Sequence, residues 1–444
     1  MKAIAWQSGI LICWYQGRFG QGGDTLNCNY YNLNGVSQWA QPTVAGNRQG
    51  SIIYVGTDNL DVYPNDSGAT VTFELTESGG NNYFSFNRID FSGNLRWPLD
   101  TFNYQGNGDY YDTGDDHHGG FYVATSTGGL GTDIYMGHFD FSGNLTIPTP
   151  IDISTGQGGR DEGRWKVLVG SDTAAYIVWR SSINNNISIA KIRLDGTLPW
   201  GDAKPICMAA GYQDYPDAMI AGDTIYAVWD DGRPGTTGYD IYMQKLDTAG
   251  NSFWTIDGIR LSHLSSYLPY PKLAASGNNV VATYEVNDGY RAQLVRPDSS
   301  TVWYQNGIVV NTNNPPFYDD YALVSSADGS VTSIWQETLS NICAARIRPD
   351  GILTAISEPM ENTVRLFPNP AAGQFSLQIK GNDYAKAVIS IYNAMGEIVL
   401  QKKNPDETSG IITVSTKSFS AGVYYVKVTG RNYNSCVRVC VTGE

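Results

Sequence analysis

The chain has 444 residues, of which 12% are aromatic, 49 are glycine and only 16% are charged, and its formal net charge is −14. That balance excludes a basic nucleic-acid-binding or anionic-membrane-binding surface, which would need clusters of Lys and Arg to release counterions. It also leaves no run of the ~18 apolar residues that a membrane-spanning helix needs. Six cysteines are too few for a disulfide framework at this length, and the chain is long enough for one large domain plus one small one.

From the N-terminus, Ala3 to Trp6 reads as a first strand and Ile10 to Tyr15 as a second, so residue 1 falls inside the first unit of a repeat. The apolar run after Met1-Lys2 breaks at Gln7-Ser8-Gly9 with no small-x-small cleavage site, which is not the pattern of a signal peptide. An entry signal, and with it a possible eighth unit, is expected ahead of residue 1. Cys13 and Cys28 fall at mirrored positions of one hairpin around Gly20, placed for a disulfide in an oxidising compartment.

The same order of elements then recurs about every 50 residues. Strands ending in a large residue occur near Trp14, Phe73, Tyr122, Trp179, Trp229, Tyr284 and Trp335. Each is followed by a third strand and a turn of Asp-x-x-Gly type, at Gly35, Gly93, Gly143, Gly196, Gly250, Ser299 and Gly351. A tryptophan often follows on the fourth strand, as at Trp39, Trp97, Trp200, Trp254 and Trp303. A four-stranded unit with two apolar faces cannot bury either alone, so such units stack radially. The expectation is all-β: a β-propeller of about seven blades over residues 1–357, a linker over 358–363, and an immunoglobulin-like β-sandwich over 364–444.

Chemistry-bearing motifs are sparse in the repeats. Asp112 to His118 gathers three carboxylates and two histidines, but adjacent residues on an extended chain point apart. The segment is read as a solvated turn between first and second strands, and no metal or cofactor is expected. Asp230-Asp231-Gly232-Arg233 is read as a charged loop after a second strand. Tyr110, Tyr111, Tyr212, Tyr215, Tyr267, Tyr270, Tyr318 and Tyr321 all fall near first strands, where they either form platforms for a ligand or pack between blades. No Gly-x-Ser-x-Gly elbow is present. Cys207 and Cys343 read as small buried residues, and Cys436 and Cys440 lie too far apart along one strand to pair with each other.

The C-terminal segment opens with Leu366-Phe367-Pro368-Asn369-Pro370, a rigid bend into the alternating Gly373, Phe375, Leu377 and Ile379. A hairpin follows, Ile389 to Leu400, with Tyr392 before its turn and Gly396 in it, and then a late strand that starts at Gly422 and Tyr424. These pieces, LFPNPAAGQFSL, ISIYNAMGEIVL and FSAGVYYVKV, resemble in order the type A C-terminal sorting domain of cargo of the type IX secretion system of Bacteroidota. The terminal Cys436-Val437-Arg438-Val439-Cys440 departs from the Lys-rich final strand usual in that family. The resemblance implies passage through the periplasm, export by the outer-membrane machinery, and a place outside the cell or on its surface. Pro368, Asn369, Pro370, Gly373, Phe375, Tyr392, Gly396, Gly422 and Tyr424 are the residues on which it rests.

Residues 363–444 hold nine basic and five acidic residues, leaving residues 1–362 near −18. Two functions follow for the repeats. One is a noncatalytic module binding a glycan or a protein; the alternative is a secreted hydrolase acting on polysaccharide through channel carboxylates.

Overall fold

The computed structural model describes residues 2–6, 9–16, 25–32, 37–47, 51–52, 60–65, 67–77, 82–98, 103–105, 111–126, 133–147, 149–154, 165–181, 184–235, 238–264, 266, 269–286, 289–311, 321–338, 341–356, 364–379, 388–393, 398–403, 411–429 and 434–442. Everything regular in it is strand. The chain divides into two compact units, Met1–Glu337 with Arg346–Thr354, and Thr338–Ala345 with Ala355–Glu444.

The first part of the chain is, among the described residues, a succession of seven antiparallel sheets, the β-propeller repeat. Six have four strands in chain order, such as Trp165–Val169, Ala175–Arg180, Ile187–Ile192 and Lys204–Cys207. The second sheet has a fifth strand, because both Ser51–Ile52 and Asp61–Asn65 pair with Gly68–Glu77. The strands Lys2–Trp6 and Gly9–Gln16 open the first sheet, as the sequence implies. Cys13 and Cys28 stand directly opposite in register there and form a disulfide.

Each sheet is held to the next by apolar faces. One seam packs Tyr176 and Val178 of the fourth sheet against Ala227 and Trp229 of the fifth; the next packs Tyr226 and Val228 against Ala282 and Tyr284. In each second strand successive side chains point to opposite faces, so neighbouring residues serve different seams. The third sheet departs from the expected register, since Tyr122 pairs with Gly114 and the position equivalent to Trp179 is filled by Thr125.

The repeated glycine and tryptophan explain each other. Both lie in the connection between third and fourth strands, so the tryptophans precede the fourth strand rather than sit on it, as Trp254 does before Ile259–Arg260. Trp39 donates from Nε1 to the Phe91 carbonyl at 3.2 Å, and Trp254 to the Pro297 carbonyl at 3.1 Å, each in the turn of the following sheet. At Gly93, Gly250 and Gly351 the turn glycine lies under the ring of Trp39, Trp200 and Trp303, whereas the turn facing Trp254 holds Ser299. Gly93 has φ +87°, and a Cβ there would come within 2.8 Å of Trp39. Glycine is therefore required twice over, by the left-handed backbone and by the close approach.

The C-terminal unit contains two sheets. One orders Val364–Phe367, Gln374–Ile379 and Ile411–Ser415; the other orders Ala371–Ala372, Asn434–Thr442, Gly422–Thr429, Val388–Tyr392 and Ile398–Lys403. Alternation along these strands puts Phe375, Leu377, Ile389, Ile391, Val426 and Val439 into one dry core. Each such side chain contributes about 1.5–3 kcal/mol by leaving water.

Candidate functional site

The inner strands of the seven sheets share a register, and one position in it is charged almost throughout. Lys2 pairs with Cys13, Asp61 with Thr72, Asp112 with Ala124, Lys166 with Val178, Asp217 with Val228 and Lys272 with Thr283. The seventh equivalent is Ala322, opposite Ile334. Inner strands of neighbouring sheets are joined through these residues. Lys2 Nζ lies 3.1 Å from Asp61, and Lys166 Nζ lies 3.5 Å from Asp112. Asp112 also accepts the Val167 N–H at 2.6 Å, Asp217 accepts the Leu273 N–H at 2.8 Å, and Lys272 donates to the Tyr321 carbonyl at 3.0 Å.

Electrostatics differ around this set. Burial pushes the Asp112 carboxyl up to about 6, against the pull of Lys166. Burial raises Asp217 as well. At Asp61 burial is outweighed by Lys2 and Lys166, so its carboxyl stays below the usual range. Lys166 thus serves as counter-cation to Asp61, Asp112 and Asp217 together. The signal was in the sequence, a charged residue recurring at 50–60-residue intervals, but the alternating sign hides it from any average.

Among the described residues the fifth sheet has the longest inner strand. Its inner strand, Tyr212–Ala221, begins five residues before Asp217, and the register breaks between Asp214 and Asp217. The extension carries Tyr212, 56% exposed, and the buried Gln213 and Asp214. Arg180, buried at the end of a strand in the fourth sheet, donates to Asp214 at 2.8 Å and to the Asn185 side chain, and its guanidinium lies 5.7 Å from the Tyr212 ring centre. Asp214 stands opposite Asp230 in register. Tyr215 and Tyr270, equivalent residues of neighbouring sheets, have φ of 45° and 40°, and their rings meet edge to face at 4.4 Å.

These positions correct several expectations. Asp230 and Asp231 lie within the strand Thr224–Gly232 and are buried, not looped out. Asp231 accepts from Trp229 Nε1 at 2.9 Å and is held by the Arg233 fork, which is why a charged pair can sit inside. Asp112 is likewise on a strand, and Asp116 is buried, bonded to His138 Nε2 at 3.0 Å and to the N–H groups of His118 and Gly120. Only His117 and His118 of that segment face solvent. Among the tyrosines, Tyr111, Tyr270 and Tyr321 are buried packing residues, and Tyr212 alone is largely exposed. Tyr110, Tyr267 and Tyr318 lie outside the described residues. Cys207 is buried, its thiol pushed up to about 12 by burial, whereas the Cys343 side chain lies outside the described residues.

In the C-terminal unit the motif residues split by role. Pro368, Asn369 and Pro370 are exposed, both prolines follow cis peptide bonds, and Asn369 Oδ1 accepts the Cys440 N–H at 2.9 Å. Gly373 takes φ +75° and accepts the Thr416 N–H at 2.9 Å. Phe375 is fully buried, while Tyr424 is buried, stacks on Phe419 at 4.9 Å and donates to the Ser420 carbonyl at 2.9 Å. Tyr392, half-buried, pairs with Tyr425, and Gly422 opens its strand opposite Val441. Gly396 lies outside the described residues.

Residues 365–442 match the family described as the secretion system C-terminal sorting domain. The C-terminal unit is a type IX sorting domain. It carries the chain to the cell surface or the extracellular space, with the secretion machinery as its partner. Among described residues no helix is long and apolar enough to cross a membrane. Curated relatives include beta-agarase A of Zobellia galactanivorans, 23% identical over 36% of this chain and 26% of that protein. The endo-acting ulvan lyase of Formosa agariphila is 23% identical over 66% of this chain and 52% of that protein. The chain thus spans about a quarter and about half of the length of these two relatives. A solved structure described as an analysis of two prolyl endopeptidases overlays 97% of this chain and 53% of its own at 10% identity, with a TM-score of 0.49. At that similarity the overlay carries no argument about activity.

Proposed function

We propose that this chain is cargo of a type IX secretion system of a member of the Bacteroidota, and that its propeller binds a polysaccharide outside the cell without cleaving it. The observation that carries this reading is the state of the inner-strand carboxylates. Asp61, Asp112 and Asp217 each hold a lysine or a backbone N–H of a neighbouring sheet, so these carboxylates are engaged in joining sheets. The names of the two curated relatives, an agarase and an ulvan lyase, support a glycan over a protein ligand. The exposed residues Pro368, Asn369 and Pro370 are the part of the sorting domain best placed to be read by the machinery.

A second reading, a secreted enzyme that cleaves polysaccharide, is favoured by Asp214 standing opposite Asp230, since directly opposed residues have Cβ atoms about 4.5–5.5 Å apart. One experiment separates the two. The full chain is incubated with a panel of polysaccharides, and retention is measured alongside new reducing ends and unsaturated sugars. Retention with intact polymer is expected; product formation would replace the binding reading by the second.

A further inference from the structure

We infer that the extended end of the fifth sheet, around Tyr212, is the sugar-binding subsite of the propeller, and that it takes an uncharged polysaccharide. This rests on the glycan-binding reading above and adds the place and the class of ligand.

Four observations meet there. The inner strand continues past a register break, and such irregularities re-aim side chains near binding sites. Tyr212 is 56% exposed, in contrast to Tyr215 three residues on, whose ring packs edge to face on Tyr270. Beside it lies the half-buried Asn185 side chain, held with the ring by the buried Arg180–Asp214 pair at 2.8 Å. Tyr215 and Tyr270 hold left-handed backbone at 45° and 40°, a conformation that costs a bulky residue about 1–3 kcal/mol and is retained where surrounding structure enforces it.

An aromatic face beside a few oriented polar groups suits a pyranose ring. Its C–H face packs on the ring of Tyr212, which the Arg180 guanidinium backs at 5.7 Å, and its rim hydroxyls reach the half-buried Asn185 amide. The charge of the ligand follows from the field. The repeats carry close to −18, and at this end of the fifth sheet Arg180 is already paired with Asp214, and Arg233, which follows the register partner of Tyr212, with Asp231. A sulfated or uronate chain would be repelled.

The test is affinity electrophoresis of the full chain in polyacrylamide gels containing one polymer each. The neutral set is soluble agarose, laminarin, xylan and galactomannan; the anionic set is ulvan and alginate. The wild-type chain is expected to be retarded by at least one neutral polymer and by neither anionic one. Tyr212→Ala should weaken that retardation at least tenfold in apparent Kd, while Tyr212→Phe, which keeps the ring, should hold it within about twofold. Because Tyr212 is exposed, both variants should melt with the wild type. Retardation of the wild type that Tyr212→Ala leaves unchanged would overturn the subsite and spare the glycan-binding reading. Retardation by the anionic polymers alone would overturn the ligand class, and no retardation by any polymer would overturn both readings.

Discussion

The two regions of this chain bury different things. The propeller buries ions and polar networks, Arg180–Asp214 between two sheets and Asp231–Arg233 and His138–Asp116 within single sheets. In the C-terminal sandwich, among described residues, only Ser390 and Thr416 are polar and buried, and the core is otherwise aliphatic and aromatic. A buried charge tolerates few partners, so it fixes which sheet meets which; an apolar core fixes compactness and leaves the surface turns free to vary. The propeller keeps charged contacts inside, whereas the sorting domain exposes the motif residues Pro368 to Pro370.

Deleting residues 364–444 sharpens that contrast most. The truncated chain should fold and remain in the periplasm, with secretion falling to background in fractionated cultures. Next is Asp231→Ala, which strands Trp229 Nε1 and the Arg233 guanidinium around a buried gap. Breaking a buried pair of this kind costs about 3–5 kcal/mol, and denaturant melts should show the loss in the propeller transition only. Phe375→Ala, at the fully buried centre of the sandwich, should cost a similar ~3–5 kcal/mol. That loss should appear in the sandwich transition alone; the same shift in both transitions would break the comparison.

Reducing the Cys13–Cys28 bridge, which closes a sequence separation of 15 residues, should lower stability by about 3 kcal/mol on loop entropy. The smallest effect is electrostatic. The Asp112 carboxyl is raised in the folded chain to about 6 from 3.8, so the folded state binds the extra proton between those values. Its contribution to stability is therefore full below about pH 4 and is lost as pH rises through 6. Asp112→Asn should gain on the wild type by an amount on the order of 1 kcal/mol when melts at pH 7.5 are compared with melts at pH 4.5. A variant that instead gains at low pH would contradict this account of Asp112.

Much of the fold was legible from residues alone. The Asp-x-x-Gly turns and following tryptophans marked the sheets because a left-handed glycine sits beneath a tryptophan ring at Gly93, Gly250 and Gly351. Fixed turn chemistry likewise made the sorting domain readable from Phe367 to Tyr424. The candidate site was less legible. Asp230-Asp231 looks like a loop because charged pairs normally end strands, and its burial depends on Trp229 and Arg233, whose positions come from tertiary packing. The tyrosines near the inner strands looked alike in sequence, yet Tyr212, ahead of the register break in the fifth sheet, is exposed while Tyr270 and Tyr321, next to the shared charged position, are buried. Spacing shows the repeat, but not which member of it departs from the others.

The division of address from activity is tested most directly by fusing residues 364–444 to an unrelated periplasmic protein in a host with a working type IX system. The account predicts that the passenger appears outside the cell or on its surface, with no contribution from the propeller. A passenger retained in the periplasm, while the intact chain is exported from the same host, would contradict it.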